Sequence, residues 1–192
     1  MIESSLYPFK SHSLDLDSYR YHYLDEGQGE TLLMLHGNPT WSFYYRNLIL
    51  DLKKSYRCVV PDHMGMGKSD KTQNYQYTLS KHIDNLVALV GELSLKDITL
   101  VVHDWGGAIG MGFAVRYPQK VKRLVLFNTA AFLSKKIPIR LRLCRLPGFG
   151  ALAIRGFNAF ALAATNMACK NRERMTNEVR AGYLAPYSNY SN

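Results

Sequence analysis

Apolar positions fall into alternating strand-like and helix-like blocks through most of the chain. Residues 6–16 and 19–24 alternate polar with apolar or aromatic side chains, the pattern of half-exposed antiparallel strands, and Gly27-Gln28-Gly29 supplies the turn after them. Residues 31–35 form a continuous apolar run, a strand buried on both faces, which stops at His36-Gly37-Asn38-Pro39. Residues 42–52 predict a helix with Phe43, Leu48 and Leu52 available for burial, and residues 57–60 a strand that closes at Pro61-Asp62 before the loop 63–71. Thr78 is the expected N-cap of a helix whose Leu79, Ile83, Leu86, Val87, Val90 and Leu93 share one stripe. Residues 98–102 are again apolar without helical period. Ala108, Met111, Gly112 and Val115 then recur at helical spacing to about Tyr117, and a last strand is expected over 124–127.

This alternation predicts an α/β fold, a doubly wound and mostly parallel sheet whose ligands sit at the carboxyl ends of its strands. The loops at Asn38, Asp62 and Asp104 then share one edge. From residue 133 onward the pattern changes to helical segments around 139–143, 152–162 and 174–184. The division expected is a core over residues 1–132 and an incomplete helical lid over 133–192. Phe149, Phe157, Phe160 and Leu162 suit a cover over an apolar pocket, although packing against one another accounts for most of them equally well.

Composition narrows the function classes. The chain has 192 residues, 47% of them apolar or aromatic, enough for one domain with a sizeable core. The formal charge of +9 points to no nucleic-acid partner, because the basic residues are scattered and the densest cluster, 170–174, also carries Glu173 and reads as a solvated helix face. Three widely spaced cysteines, Cys58, Cys144 and Cys169, suggest free thiols in a reducing compartment. With no basic segment leading into an apolar run at the start, the expected location is cytoplasmic. The most apolar later stretch, 148–169, is interrupted by Arg155, Asn158 and Asn166, so no stable membrane insertion is expected.

The stretch VVHDWGG (101–107) carries the chemistry. A buried strand passes to a helix through a sharp, glycine-flanked turn with Asp104 at its centre, the form of a nucleophile elbow. An aspartate there could instead serve only as the helix N-cap. Gly67-Lys68-Ser69 resembles the end of a phosphate-binding loop, but Asp62 stands where that motif needs its first glycine. Neither His36 nor His63 has a second ligand at metal-site spacing, and no dinucleotide fingerprint is present, so neither a metal nor a cofactor is expected.

HGNPTWSFYYR (36–46), PDHMGMGKSD (61–70) and VVHDWGG (101–107), in that order, resemble the haloalkane dehalogenase family of α/β-hydrolases. FNTAAF (127–132) with the segment after it is most similar to that family's third subfamily, which includes β-lactone decarboxylases of olefin biosynthesis. The resemblance implies Asp104 as nucleophile, the Asn38 and Trp105 side chains as halide or substrate ligands, and the backbone N–H groups of Asn38 and Trp105 as oxyanion hole. It implies a covalent alkyl ester on Asp104 with halide release, then hydrolysis by a histidine-activated water. These residue types suit that chemistry: a carboxylate can displace a leaving group from saturated carbon, and two fixed donors stabilise the anion that departs.

The partners expected are a small lipophilic substrate and water. The alternatives are a β-lactone decarboxylase giving a long-chain olefin; an epoxide hydrolase, which shares the HDWGG elbow and uses lid tyrosines such as Tyr183 and Tyr187; and a non-catalytic binder of a hydrophobic ligand. The general base separates catalyst from binder. The family's histidine follows an eighth strand, and its acid in this branch follows a seventh. Neither maps onto the chain, and residues 125–132 hold no carboxylate. The expectation is an N-terminal portion of a longer enzyme, or a truncated product, without turnover alone.

Overall fold

The computed structural model describes residues 5–130, 161–163, 165, 169 and 171–187. Strands β1 (Ser11–Leu16) and β2 (Tyr19–Glu26) form a hairpin, turned by Asp17 and Ser18 at positive φ. The sheet continues through β3 (Glu30–Leu35), β4 (Tyr56–Pro61), β5 (Ile98–His103) and β6 (Val121–Phe127) in the order β1-β2-β4-β3-β5-β6. β1, β2 and β4 pair antiparallel, and β4, β3, β5 and β6 run parallel. The carboxyl ends of β3, β4 and β5 therefore share one edge, which gathers the loops at Asn38, Asp62 and Asp104.

The helices are α1 (Arg46–Leu52), preceded by a 3-10 turn Ser42–Tyr45, α2 (Leu79–Glu92) and α3 (Trp105–Arg116). Leu33, Leu35, Leu100 and Val102 join the core formed with Leu86 and Leu89 of α2 and Ile109 and Phe113 of α3. Their alternates Leu32, Met34 and Val101 are buried as well, which is why β3 and β5 read as unbroken apolar runs. Thr78 caps α2, accepting the Lys81 N–H.

Three expectations shift. Leu48 is 38% exposed and Ile49 is buried instead, because the 3-10 turn changes the phase entering α1. The buried face of α3 is Gly106, Gly107, Ile109, Gly110 and Phe113, while Val115 is 78% exposed. This helix is apolar nearly all round, so spacing alone selects no face; small residues do, where backbone and sheet approach closely. β6 begins three residues earlier than expected, since Lys122 and Arg123 both reach Glu30 and its charged start still pairs.

The chain divides into two compact units, Tyr7–Ala131 and a second composed of Met1–Leu6 with Phe132–Asn192. In the second, α4 (Asn177–Leu184) is capped by Thr176, which accepts the Val179 N–H, and buries Val179 and Gly182. A 3-10 turn spans Arg172–Arg174, exposed as expected of the charged cluster. The helices expected around 139–143 and over most of 152–162, with Phe149, Phe157 and Phe160, lie outside the described residues. Among the described residues no helix is long and apolar enough to cross a membrane.

Candidate active site

β5 delivers its chain into α3 through Asp104, whose backbone sits at φ 51° and ψ −122°. A non-glycine residue there is strained by about 1–3 kcal/mol, and such strain persists only where surroundings over-determine the turn. The surroundings are close-fitting. A Cβ added at Gly106 would run into the Leu35 carbonyl, one at Gly37 into the Asp104 side chain, and one at Gly107 into Thr129. The two loops are thus in direct backbone contact at the end of β3 and β5.

Asp104 occupies the N-cap position of α3, yet its side chain makes no capping hydrogen bond. Its Oδ1 instead accepts the backbone N–H of Asn38 at 2.8 Å. Among the described residues Oδ2 has no hydrogen-bond partner. The capping account of this aspartate fails on that geometry, and the carboxylate is left with one oxygen fixed and one available. Asn38, Asp104 and Trp105 all carry exposed side chains, Trp105 at 40%. Of the residues expected in the site, Asn38 and Asp104 are joined directly, and Trp105 is the first residue of α3 beside them.

Behind these lies a layer of neutral imidazoles. His36 accepts the His63 N–H at its Nε2 (3.0 Å), which puts its proton on Nδ1, 3.0 Å from the Gly37 carbonyl. His63 Nε2 donates to the His36 carbonyl at 3.1 Å, and among the described residues its buried Nδ1 has no partner. Burial depresses the pKa of His36, although Asp62 and the Gly37 bond oppose it; burial, then His36 and His82, depress that of His63 far below the usual histidine value. His82 is held to about 4 by burial and then by His36. His103, stacked on Tyr44 at 4.5 Å between centroids, is likewise depressed by burial, against the pull of Asp104. No histidine hydrogen-bonds the Asp104 carboxylate among the described residues.

Asp62, the third loop carboxylate, is fully buried and structural. Its Oδ1 accepts the Ser42 N–H at 2.7 Å and its Oδ2 the Lys68 N–H at 2.8 Å. His22 Nδ1 stands 2.8 Å from Oδ2. Burial raises its pKa, yet His22, His36 and the Lys68 N–H outweigh that and leave it below the ordinary aspartate value.

Thr129 joins the site through a tertiary contact that no sequence pattern announces. The Thr129 hydroxyl, just past β6, donates to the Asp104 carbonyl at 2.6 Å, and the only hint in the sequence is the small residue at Gly107 that makes room for it.

Residues 30–153 match the family model of the alpha/beta hydrolase fold. The cis-3-alkyl-4-alkyloxetan-2-one decarboxylase of Shewanella oneidensis is 50% identical to this chain over 98% of it and 61% of its own length. The protein of the same name from Xanthomonas campestris pv. campestris is 45% identical over 88% of the chain and 60% of its own length. Haloalkane dehalogenase 2 of Mycobacterium tuberculosis is 41% identical over 66% of the chain and 44% of its own. Among solved structures, the haloalkane dehalogenase of Agrobacterium tumefaciens C58 superposes with a TM-score of 0.81 at 25% identity, covering 98% of this chain and 66% of that one. The chain therefore spans less than two thirds of the length of the curated relatives it matches.

Proposed function

This chain belongs to the α/β-hydrolase fold family, and from that premise we propose that Asp104 is the nucleophile of an enzyme acting on a small lipophilic substrate, a cis-dialkyl β-lactone. The reading rests on one observation: Asp104 sits in a strained elbow with its carboxylate turned away from the helix it precedes and onto the Asn38 N–H. Oδ1 is the oxygen held, so Oδ2 attacks. The Trp105 N–H completes the oxyanion hole, and the side chains of Asn38 and Trp105 hold the anion that departs from carbon.

The higher identity to the two oxetanone decarboxylases moves the weight from halide to lactone. Chemistry supports the same choice. Oδ2 attacks the ring carbon that bears oxygen, the C–O bond of the strained ring breaks, and the substrate's carboxylate is released while its carbon remains esterified to Asp104. Loss of carbon dioxide then sends the electrons of the C–C bond into the new double bond and expels the Asp104 carboxylate. Attack with inversion followed by anti elimination keeps the cis geometry. Neither step consumes water or needs a general base. The likeness to dehalogenase structures supports a second reading, alkyl halide displacement, in which the ester is afterwards hydrolysed by base-activated water. Free thiols at Cys58 and Cys169 support a cytoplasmic location.

The test is a parallel assay of a cis-3,4-dialkyl oxetan-2-one and 1-bromobutane. Alkene and carbon dioxide in equal amounts, absent in Asp104→Asn, support the lactone reading. Catalytic bromide release without alkene replaces it with the halide reading.

A further inference from the structure

We propose that Thr129 is a positioning residue for Asp104, acting through the Asp104 carbonyl on the Trp105 N–H; this deepens the reading of Asp104 as nucleophile and rests on it. The Asp104 carbonyl accepts two hydrogen bonds, from Thr129 Oγ1 at 2.6 Å and from the Gly107 N–H at 3.0 Å. In a trans peptide the carbonyl of one residue and the N–H of the next point in opposite directions within one rigid plane. Two donors on the Asp104 carbonyl therefore fix where the Trp105 N–H is aimed, away from Thr129 and Gly107.

The Gly107 bond alone is the ordinary first turn of a helix and exists wherever α3 does. The Thr129 bond differs: it comes from the segment just past β6, 25 residues on, and it bears on a residue whose φ of 51° the local backbone disfavours. Asn38 fixes the Asp104 side chain from the loop after β3 and Thr129 fixes its main chain from the segment after β6, so the nucleophile is held from the ends of the two strands that flank β5 in the sheet. The site is built for this contact, since any side chain larger than hydrogen at 107 would displace the hydroxyl. A structural threonine that merely filled space would work as well through its methyl group, and the 2.6 Å bond assigns the work to the oxygen instead.

The experiment compares Thr129→Val, which keeps the shape and removes the donor, with Thr129→Ser, which keeps the donor, in the full 192-residue chain. Two readouts are taken: the saturating rate and half-saturating concentration for alkylation of Asp104 by an alkyl bromide, followed by intact mass, and the amide 15N shift of Trp105. The proposal predicts a saturating rate lowered roughly five- to tenfold in the valine variant, the worth of one hydrogen bond, with half-saturation unchanged. It predicts a moved Trp105 amide, and both restored by serine. A valine variant that alkylates at the parent rate with an unmoved amide overturns it. So does a serine variant as slow as the valine one, because then the methyl group is what matters; if the valine variant fails to fold, serine is compared with the parent, and a serine variant slower than the parent with a moved Trp105 amide overturns the proposal. If the parent chain is not alkylated at all, the nucleophile reading fails, and the Trp105 shift alone decides whether Thr129 sets that peptide.

Discussion

The backbone N–H of Asn38 and the carboxylate of Asp104, 66 residues apart in sequence, meet at 2.8 Å. Neither loop could make this contact without the other: β3 and β5 are hydrogen-bonded neighbours running parallel, so their carboxyl ends open side by side. The helix that follows Asp104 would be served equally well by a capping carboxylate, and its absence from that role leaves the side chain to the loop across the strand ends.

Packing at this junction leaves no room for a methyl group. Gly106→Ala should destabilise the chain by about 1–3 kcal/mol, since the new Cβ meets the Leu35 and His36 carbonyls, which are backbone and cannot rotate away. Urea unfolding monitored by far-UV circular dichroism measures it; a change below about 0.5 kcal/mol would show that the two loops have slack.

Asp62→Ala should cost about 3 kcal/mol or more, because it strips the acceptor from the buried Ser42 N–H and the part-buried Lys68 N–H. The same unfolding experiment reads it. An unaltered melt would mean water replaces the carboxylate.

Acid should destabilise the fold through its neutral histidines. The unfolded chain takes up protons near pH 6.5, whereas folded His82 resists until about 4, and His36 and His63 are depressed in the same direction. The unfolded state therefore binds more protons in that window, and stability present above pH 6.5 is lost as pH falls toward 4. For His82 alone the loss amounts to about 3 kcal/mol. His82→Gln should flatten the dependence of stability on pH across that interval, and a slope identical to the parent's would contradict the assignment.

How much of this was legible in the chain follows from which contacts are local. β3 and β5 announced themselves as unbroken apolar runs because both faces are buried, and their ends named the edge where Asn38 and Asp104 lie. The buried face of α3 did not, since glycines, alanine and large apolar residues surround that helix and only the approach of Leu35 and Ile83 distinguishes Gly106 and Gly112 from Val115. Leu48 misled for a similar reason, the turn before α1 being 3-10 rather than α. The Thr129 bond and the imidazole layer are tertiary contacts with no periodicity, and a neutral His63 reads in sequence like any other histidine.

Among the described residues β6 lies at the edge of the sheet. Leu124, Val125, Leu126 and Phe127 are all exposed, with no charge or proline among them to discourage pairing with another chain. The isolated chain should self-associate as concentration rises, and Leu126→Lys should reduce that association in light scattering. Equal scattering from both proteins would place the association elsewhere.

The most direct measurement of the central claim is the site of covalent modification. The chain is incubated with an alkyl bromide, its intact mass is taken, and the modified residue is located by peptide sequencing. The account predicts one added alkyl group per chain, esterified to Asp104 and absent from Asp104→Asn. An adduct that persists in Asp104→Asn, lies on another residue or never forms would contradict it.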